Sequence, residues 1–186
     1  MADILQNTDA YTQASFSLKN RLLRLIWNIV YVVLFKFSPP PLRIWRSFLL
    51  RCFGAKIGKR CHVYPKAKIW APWNLAMDDY ACIADDVICY SMAKITLGKK
   101  VVISQGTFLC AGSHDYQDPH FRLFAKPIKI EANVWVAAQA FVTPGVTIGE
   151  GAVIGARSVV TEDMPAWMVC VGNPCKPIKT RELRKD

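Results

Sequence analysis

Three histidines are the side chains here that ordinarily change charge near neutral pH. His62 stands among Lys56, Lys59, Arg60 and Lys66, in a stretch of regular texture. His120 lies inside the segment D-Y-Q-D-P-H-F-R-L-F-A-K-P at 115–127, and His114 directly precedes that segment. A neutral imidazole can take the proton from a hydroxyl as it attacks, provided the ring is held firmly and still reachable. A residue at the junction of regular chain and loop meets both conditions, so His114 is the candidate general base. The seven cysteines form no C-x-x-C pair and no Cys/His ligand spacing. Cys82, Cys89 and Cys110 sit among apolar residues and read as small buried hydrophobes in a reducing compartment. A zinc site of the kind built on clustered histidines needs three of them, and only His114 and His120 are near one another in sequence, so no metal is expected.

The element that must hold His114 has a six-residue beat. Ile130, Val136, Val142, Ile148, Ile154 and Val160 are all Ile or Val, and Val134, Ala140, Val146, Ala152 and Ser158 follow at a second fixed position. Earlier runs keep the beat in three phases: Ile57 to Leu75, Met77 to Ile95, and Leu97 to Leu109. Each slip is two residues, which keeps the same side chains inward. So short a repeat is the hexapeptide signature of a parallel β-helix, in which three hexads close one triangular coil and the aliphatic residues stack along the axis. About five coils fit between residues 57 and 165. Small residues are expected at the corners. The interruption at 115–127 reads as a protruding functional loop.

Before the repeat, the chain divides into a loose polar stretch at 1–17 and a basic, aromatic leader at 18–56. Residues 166–186 form a C-terminal tail. No Asp or Glu occurs from residue 10 to 77, whereas twelve Lys and Arg do. Residues 18–37 are apolar but interrupted by Arg24, Asn28 and Lys36, too broken for a spanning helix. Pro39-Pro40-Pro41 then stops the first helix. In the second, Ile44, Trp45, Phe48, Leu49, Cys52 and Phe53 recur at helical spacing, with Arg43, Arg46 and Arg51 projecting from flanking positions. Two readings stay open: helices packed on the main domain, or an amphipathic hairpin on an anionic membrane surface. No nucleic-acid-binding signature is present. The first residues lack the basic start of a secretory signal, so the expected location is cytoplasmic, or peripheral on the inner face of the plasma membrane.

The segments G-S-H-D-Y (112–116), N-V-W-V-A-A (133–138), P-G-V-T-I-G (144–149), G-A-R-S-V-V-T (155–161) and V-G-N-P-C-K-P-I (171–178) resemble those of the hexapeptide-repeat acyltransferases. With W-A-P-W-N-L (70–75) and the leader, the likeness is greatest to the colanic-acid-type exopolysaccharide O-acetyltransferases, relatives of the galactoside and maltose enzymes. That resemblance implies an all-β, left-handed parallel β-helix, a homotrimer with sites between subunits, and direct transfer of acetyl from acetyl-CoA to a sugar hydroxyl. It implies His114 as the base. It also implies cofactor contacts at Trp135, Ala138, Ala156, Thr161, Lys176 and Lys179, with Glu162 standing where related enzymes carry a lysine.

On the acceptor side the sequence departs from the galactoside-type pattern. Ala84 and Met92 replace sugar-binding Asn and Asp, which argues against a simple galactoside or maltose. Asp85, Tyr90, Ser91 and Gln105 are the nearby polar candidates, and a lipid-linked saccharide acceptor would account for a membrane-facing leader. The rival acceptors for the same fold are an antibiotic, an amino sugar or serine. A non-catalytic scaffold is a further rival, which the loop rooted at His114 argues against.

Overall fold

Each hexad folds as a short strand followed by a corner, and the corners set the triangle. The computed structural model describes residues 5 and 8–183; residues 1–4, 6, 7 and 184–186 of the two expected terminal segments lie outside them. The first face stacks Lys56–Ile57, Leu75–Met77, Ile95–Leu97, Ile128–Ile130 and Thr147–Ile148, all parallel. The second stacks His62–Val63, Cys82–Ile83, Val102–Ile103, Trp135–Val136, Val153–Ile154 and Met168–Gly172. The third stacks Lys68–Ile69, Ile88–Tyr90, Phe108–Cys110, Phe141–Val142 and Val159–Val160. The β-helix therefore has five complete turns, and Met164 with Met168–Gly172 begins a sixth. There the chain reverses, and Cys175–Thr180 pairs antiparallel with Met168–Gly172.

The two-residue slips have a simple structural origin. In the second and third turns the first-face strand is three residues long, and both ends point inward: Leu75 with Met77, then Ile95 with Leu97. Each slip thus marks an extra buried residue in a longer face, not a break. The corners differ from the expectation of small residues alone. The corner between first and second faces turns through Arg60, Tyr80, Lys100, Asn133 and Gly151, all at positive φ; the next corner turns through Asp86, Gly106, Gln139 and Arg157, likewise. Outside, these side chains reach solvent. The small residue required inside is the next one, as in Cys61, Ala81 and Ala152, which are buried.

The leader forms α1 (Leu18–Val30), a π-helical turn (Tyr31–Phe35) and α2 (Arg43–Cys52). Ser17 caps α1 by accepting the Asn20 amide at 3.3 Å. Along the solenoid the rungs run both ways: the Tyr64 amide donates to the Ile83 carbonyl of the following turn at 2.9 Å, and the Tyr80 amide donates back to Lys59 at 2.9 Å. The first-turn carbonyls that point away from the second turn have no strand to serve. One on each face is taken by the leader. Arg51 Nη2 donates to the Ile57 carbonyl at 2.8 Å, Arg46 Nε to Val63 at 2.6 Å, and Trp27 Nε1 to Ile69 at 2.6 Å. Arg46 adds Ser38 Oγ at 3.0 Å and the carbonyls of Pro39 and Pro40 at 2.8 and 2.6 Å.

The inward side of α2 is mixed, with Leu49 and Leu50 buried beside Arg46. Arg46 is fully buried, while Ile44 and Phe48 are 76% and 52% exposed. The edge of an open sheet needs donors, and Arg46 brings them there between the two leucines.

His62, on the first turn, stacks on Tyr64 at 4.3 Å between ring centroids. Burial first, then the charges of Arg46 and Arg43, hold its pKa below the ordinary histidine value, with Asp85 opposing. A histidine kept neutral in the fold lends its full stability above about pH 6.5 and withdraws it as pH falls through that range, because the unfolded chain then binds more protons. The melting temperature should therefore drop between pH 7.5 and pH 5. His62→Gln should flatten that part of the profile; an unchanged acid-side slope would show that other groups set it.

Candidate active site

His114 ends a small antiparallel ribbon that leaves the third turn. Gly112–His114 pairs with Leu123–Ala125, with Gly112 opposite Ala125 and His114 opposite Leu123. The root is fixed by Lys126, whose amide donates to the Ala111 carbonyl at 3.1 Å. It is also close-packed: a Cβ on Gly112 would come within 2.4 Å of Met92 Sδ.

The loop beyond the ribbon is built by two aspartates. Asp115 Oδ1 accepts the Gln117 amide at 3.0 Å, so Asp115 caps the turn. Asp118 Oδ1 accepts the His120 amide at 2.9 Å, and its carbonyl accepts the Phe121 amide at 2.8 Å. Phe121 is held at φ 45°, which turns its carbonyl back toward His114.

The decisive contact is that carbonyl with the imidazole. His114 Nδ1 lies 2.7 Å from the Phe121 oxygen, and the two rings stack at 4.3 Å with 13° between planes. A carbonyl oxygen only accepts, so Nδ1 carries the hydrogen. In the neutral ring Nε2 is then left as an unprotonated acceptor, the form a general base requires. The ring is half-buried. The N-terminal segment braces the same loop: the Ala10 amide donates to the His120 carbonyl at 3.2 Å, and Tyr11 stacks on Phe121 at 6.0 Å. His120 Nδ1 lies 3.4 Å from Asp9 Oδ2. The Asp9 carboxyl is lowered first by the Tyr11 amide and then by His120, with burial opposing.

The remaining expected site residues fall elsewhere on the triangle. Strand register places Asp85, Gln105, Ala138 and Ala156 in one column, at the corner between second and third faces on four successive turns. The alanines offer only methyl groups there, which leaves the main chain open to an elongated ligand. Trp135 lies on the second face, half exposed, its Nε1 donating to Ser104 Oγ at 2.9 Å. Thr161 and Lys179 are exposed, and Lys176 is paired with Glu162. Tyr90 lies edge-on to Trp70 on the third face at 5.4 Å. Ser91 is fully buried, its hydroxyl donating to the Ala71 carbonyl at 2.9 Å and accepting the Ala71 amide at 3.0 Å. Within one chain His114 and the alanine column thus belong to different corners. Among the described residues no three of His, Cys, Asp and Glu converge as metal ligands would.

Sequence reading passed over Phe121, whose contribution is a main-chain carbonyl, and Ser104, whose partner Trp135 is a turn away. The Asp118-Pro119 pair was the available sign of the turn that aims Phe121.

The family described as bacterial transferase hexapeptide, six repeats, matches residues 127–162. The colanic acid biosynthesis acetyltransferase WcaF of Escherichia coli (strain K12) is 49% identical over 156 residues, covering 84% of this chain and 86% of that protein. The chain belongs to the hexapeptide-repeat acetyltransferases. Two solved acetyltransferase structures are similar to it. A maltose O-acetyltransferase from Clostridium difficile 630 is 30% identical, with TM-score 0.82 and 90% of each chain covered. A galactoside acetyltransferase in complex with coenzyme A is 26% identical, with TM-score 0.76, covering 89% of this chain and 84% of that one.

Proposed function

We propose that this chain transfers acetyl from acetyl-CoA to a sugar hydroxyl in exopolysaccharide assembly of the colanic-acid type, with His114 as general base. The observation that carries this is the hydrogen bond from His114 Nδ1 to the Phe121 carbonyl, which leaves Nε2 free to accept a proton. As the hydroxyl oxygen bonds to the thioester carbon, its proton passes to Nε2. When the carbon–sulfur bond breaks, that proton passes on to the departing thiolate, giving the ester and free coenzyme A. No covalent enzyme intermediate is needed. Ala138 and Ala156 would lie along the pantetheine arm, with Trp135 near the thioester and Thr161 and Lys179 further along. Lys176, paired with Glu162, is a weaker partner for phosphate.

The assembly proposed is a homotrimer. Its support is the placement of His114 and the alanine column on different corners, which lets one subunit present the base to cofactor held along its neighbour. The acceptor side is the third face and adjoining corner, with Tyr90, Asp85 and Gln105 as contacts and Ser91 holding the wall from within. The acceptor proposed is a saccharide carried on lipid, met from the cytoplasmic side. The test is thiol release from acetyl-CoA with a panel of acceptors: oligosaccharide repeat units, simple galactosides, maltose, serine and aminoglycosides. Release stimulated by the oligosaccharides supports the reading. Release with serine or aminoglycosides alone would overturn it.

A further inference from the structure

The leader buries Trp27, Phe35, Leu49 and Leu50 against the solenoid and leaves a second apolar side open to solvent. On α1, Asn20 and Trp27 face the first turn, whereas Leu22 and Ile29 on the opposite side are 60% and 57% exposed. On α2, Arg46 faces inward, and Ile44 and Phe48 face out. Cations rim this surface: Lys19, Arg21, Lys36 and Arg43 are exposed. No acid offsets them between residues 10 and 77.

We propose that this outer face is a docking surface for an anionic lipid bilayer. Apolar side chains on the outside of a helix with Lys and Arg at its borders are the composition of an interfacial helix, whose bases meet lipid phosphates while its Leu and Ile enter the acyl boundary. No helix among the described residues is long and apolar enough to cross a membrane, so the hairpin lies on the surface. A second copy of the same face is the wrong partner, since the contact would set cation against cation with no acid between them.

The inference deepens the lipid-carried acceptor proposed above and fixes a geometry. Because the hairpin covers the end of the solenoid, docking stands the axis upright on the bilayer. The His114 ribbon leaves the third turn, two spacings of about 4.8 Å above the first. With a helix layer of about 10 Å beneath, the base lies roughly 20 Å from the lipid surface. That is the reach of a saccharide several sugars long, not of a single lipid-linked sugar.

The experiment is co-sedimentation of the full chain with phosphatidylcholine vesicles, with and without phosphatidylglycerol. Binding should require the anionic lipid and weaken with added salt. Two double variants, Leu22→Ser with Ile29→Ser and Lys19→Glu with Arg21→Glu, should each lower the bound fraction at least tenfold. Thermal stability and acetylation of a soluble acceptor should stay unchanged. Equal binding to neutral vesicles, or none to anionic ones, overturns the proposal. So does a concentration-dependent rise in mass that the Leu22→Ser, Ile29→Ser variant abolishes, which would assign the face to another copy of the chain. The readout needs no acetyl transfer, so it fails or succeeds independently of the enzymatic reading.

Discussion

Replacing His114 with Ala should lower kcat for acetyl transfer by about 10²- to 10⁴-fold, the usual contribution of a positioned general base. The KM for acetyl-CoA should hardly move, because the ring is proposed to touch the acceptor hydroxyl and not the cofactor. His114→Gln is the sharper control. It keeps the size and a donor for the Phe121 carbonyl but has no basic nitrogen, and it should be nearly as impaired as Ala. Phe121→Ala should cost less, since the carbonyl that fixes the tautomer belongs to the main chain and only the stacked ring is lost. Steady-state thiol release at saturating acetyl-CoA measures all three. A His114→Gln enzyme with full kcat would exclude the imidazole as base.

The second large effect concerns Arg46. It is fully buried, and its guanidinium serves Val63, Ser38, Pro39 and Pro40 together. Arg46→Ala strands the buried Val63 carbonyl on the solenoid side and the buried Ser38 hydroxyl on the leader side. Hydrogen bonds from a charged donor are worth about 1.5–3 kcal/mol each and do not add fully. A total loss of about 3–5 kcal/mol follows, or about 10–15 °C in melting temperature for a chain of this length. Arg46→Lys keeps the charge but cannot span four acceptors, and should recover less than half of the loss. Thermal melts together with limited proteolysis should show the leader cleaved first in Arg46→Ala. A melt within 2 °C of the parent would mean that water serves those groups equally well.

The course of the solenoid was readable from Ile130 to Val160 because one inward residue per strand imposes a period that few other folds share. Even the phase slips were visible, although the sequence could not say that Met77 and Leu97 are extra inward residues on a longer face. His114 drew notice as a candidate for a related reason: a loop stands out against a regular beat. What stayed hidden depended on directions in space. Periodicity marked α2 as amphipathic but could not tell which side faced inward. Ile44 and Phe48 suit a core or a membrane face equally until the unpaired carbonyls of the first turn are known. Ser91 looked like a ligand contact because its hydroxyl is polar; its use on Ala71 follows only from how two turns stack.

The leader and the returning strand Cys175–Thr180 also determine how far such a stack can run. A β-helix open at either end presents ready-made hydrogen-bonding rungs to any other copy, and identical units could add end to end into a filament. Arg51, Arg46 and Trp27 take one carbonyl on each face at one end, and the reversed strand covers the second face at the other. Shortening the chain to its repeats would therefore yield fibres in place of a smaller enzyme.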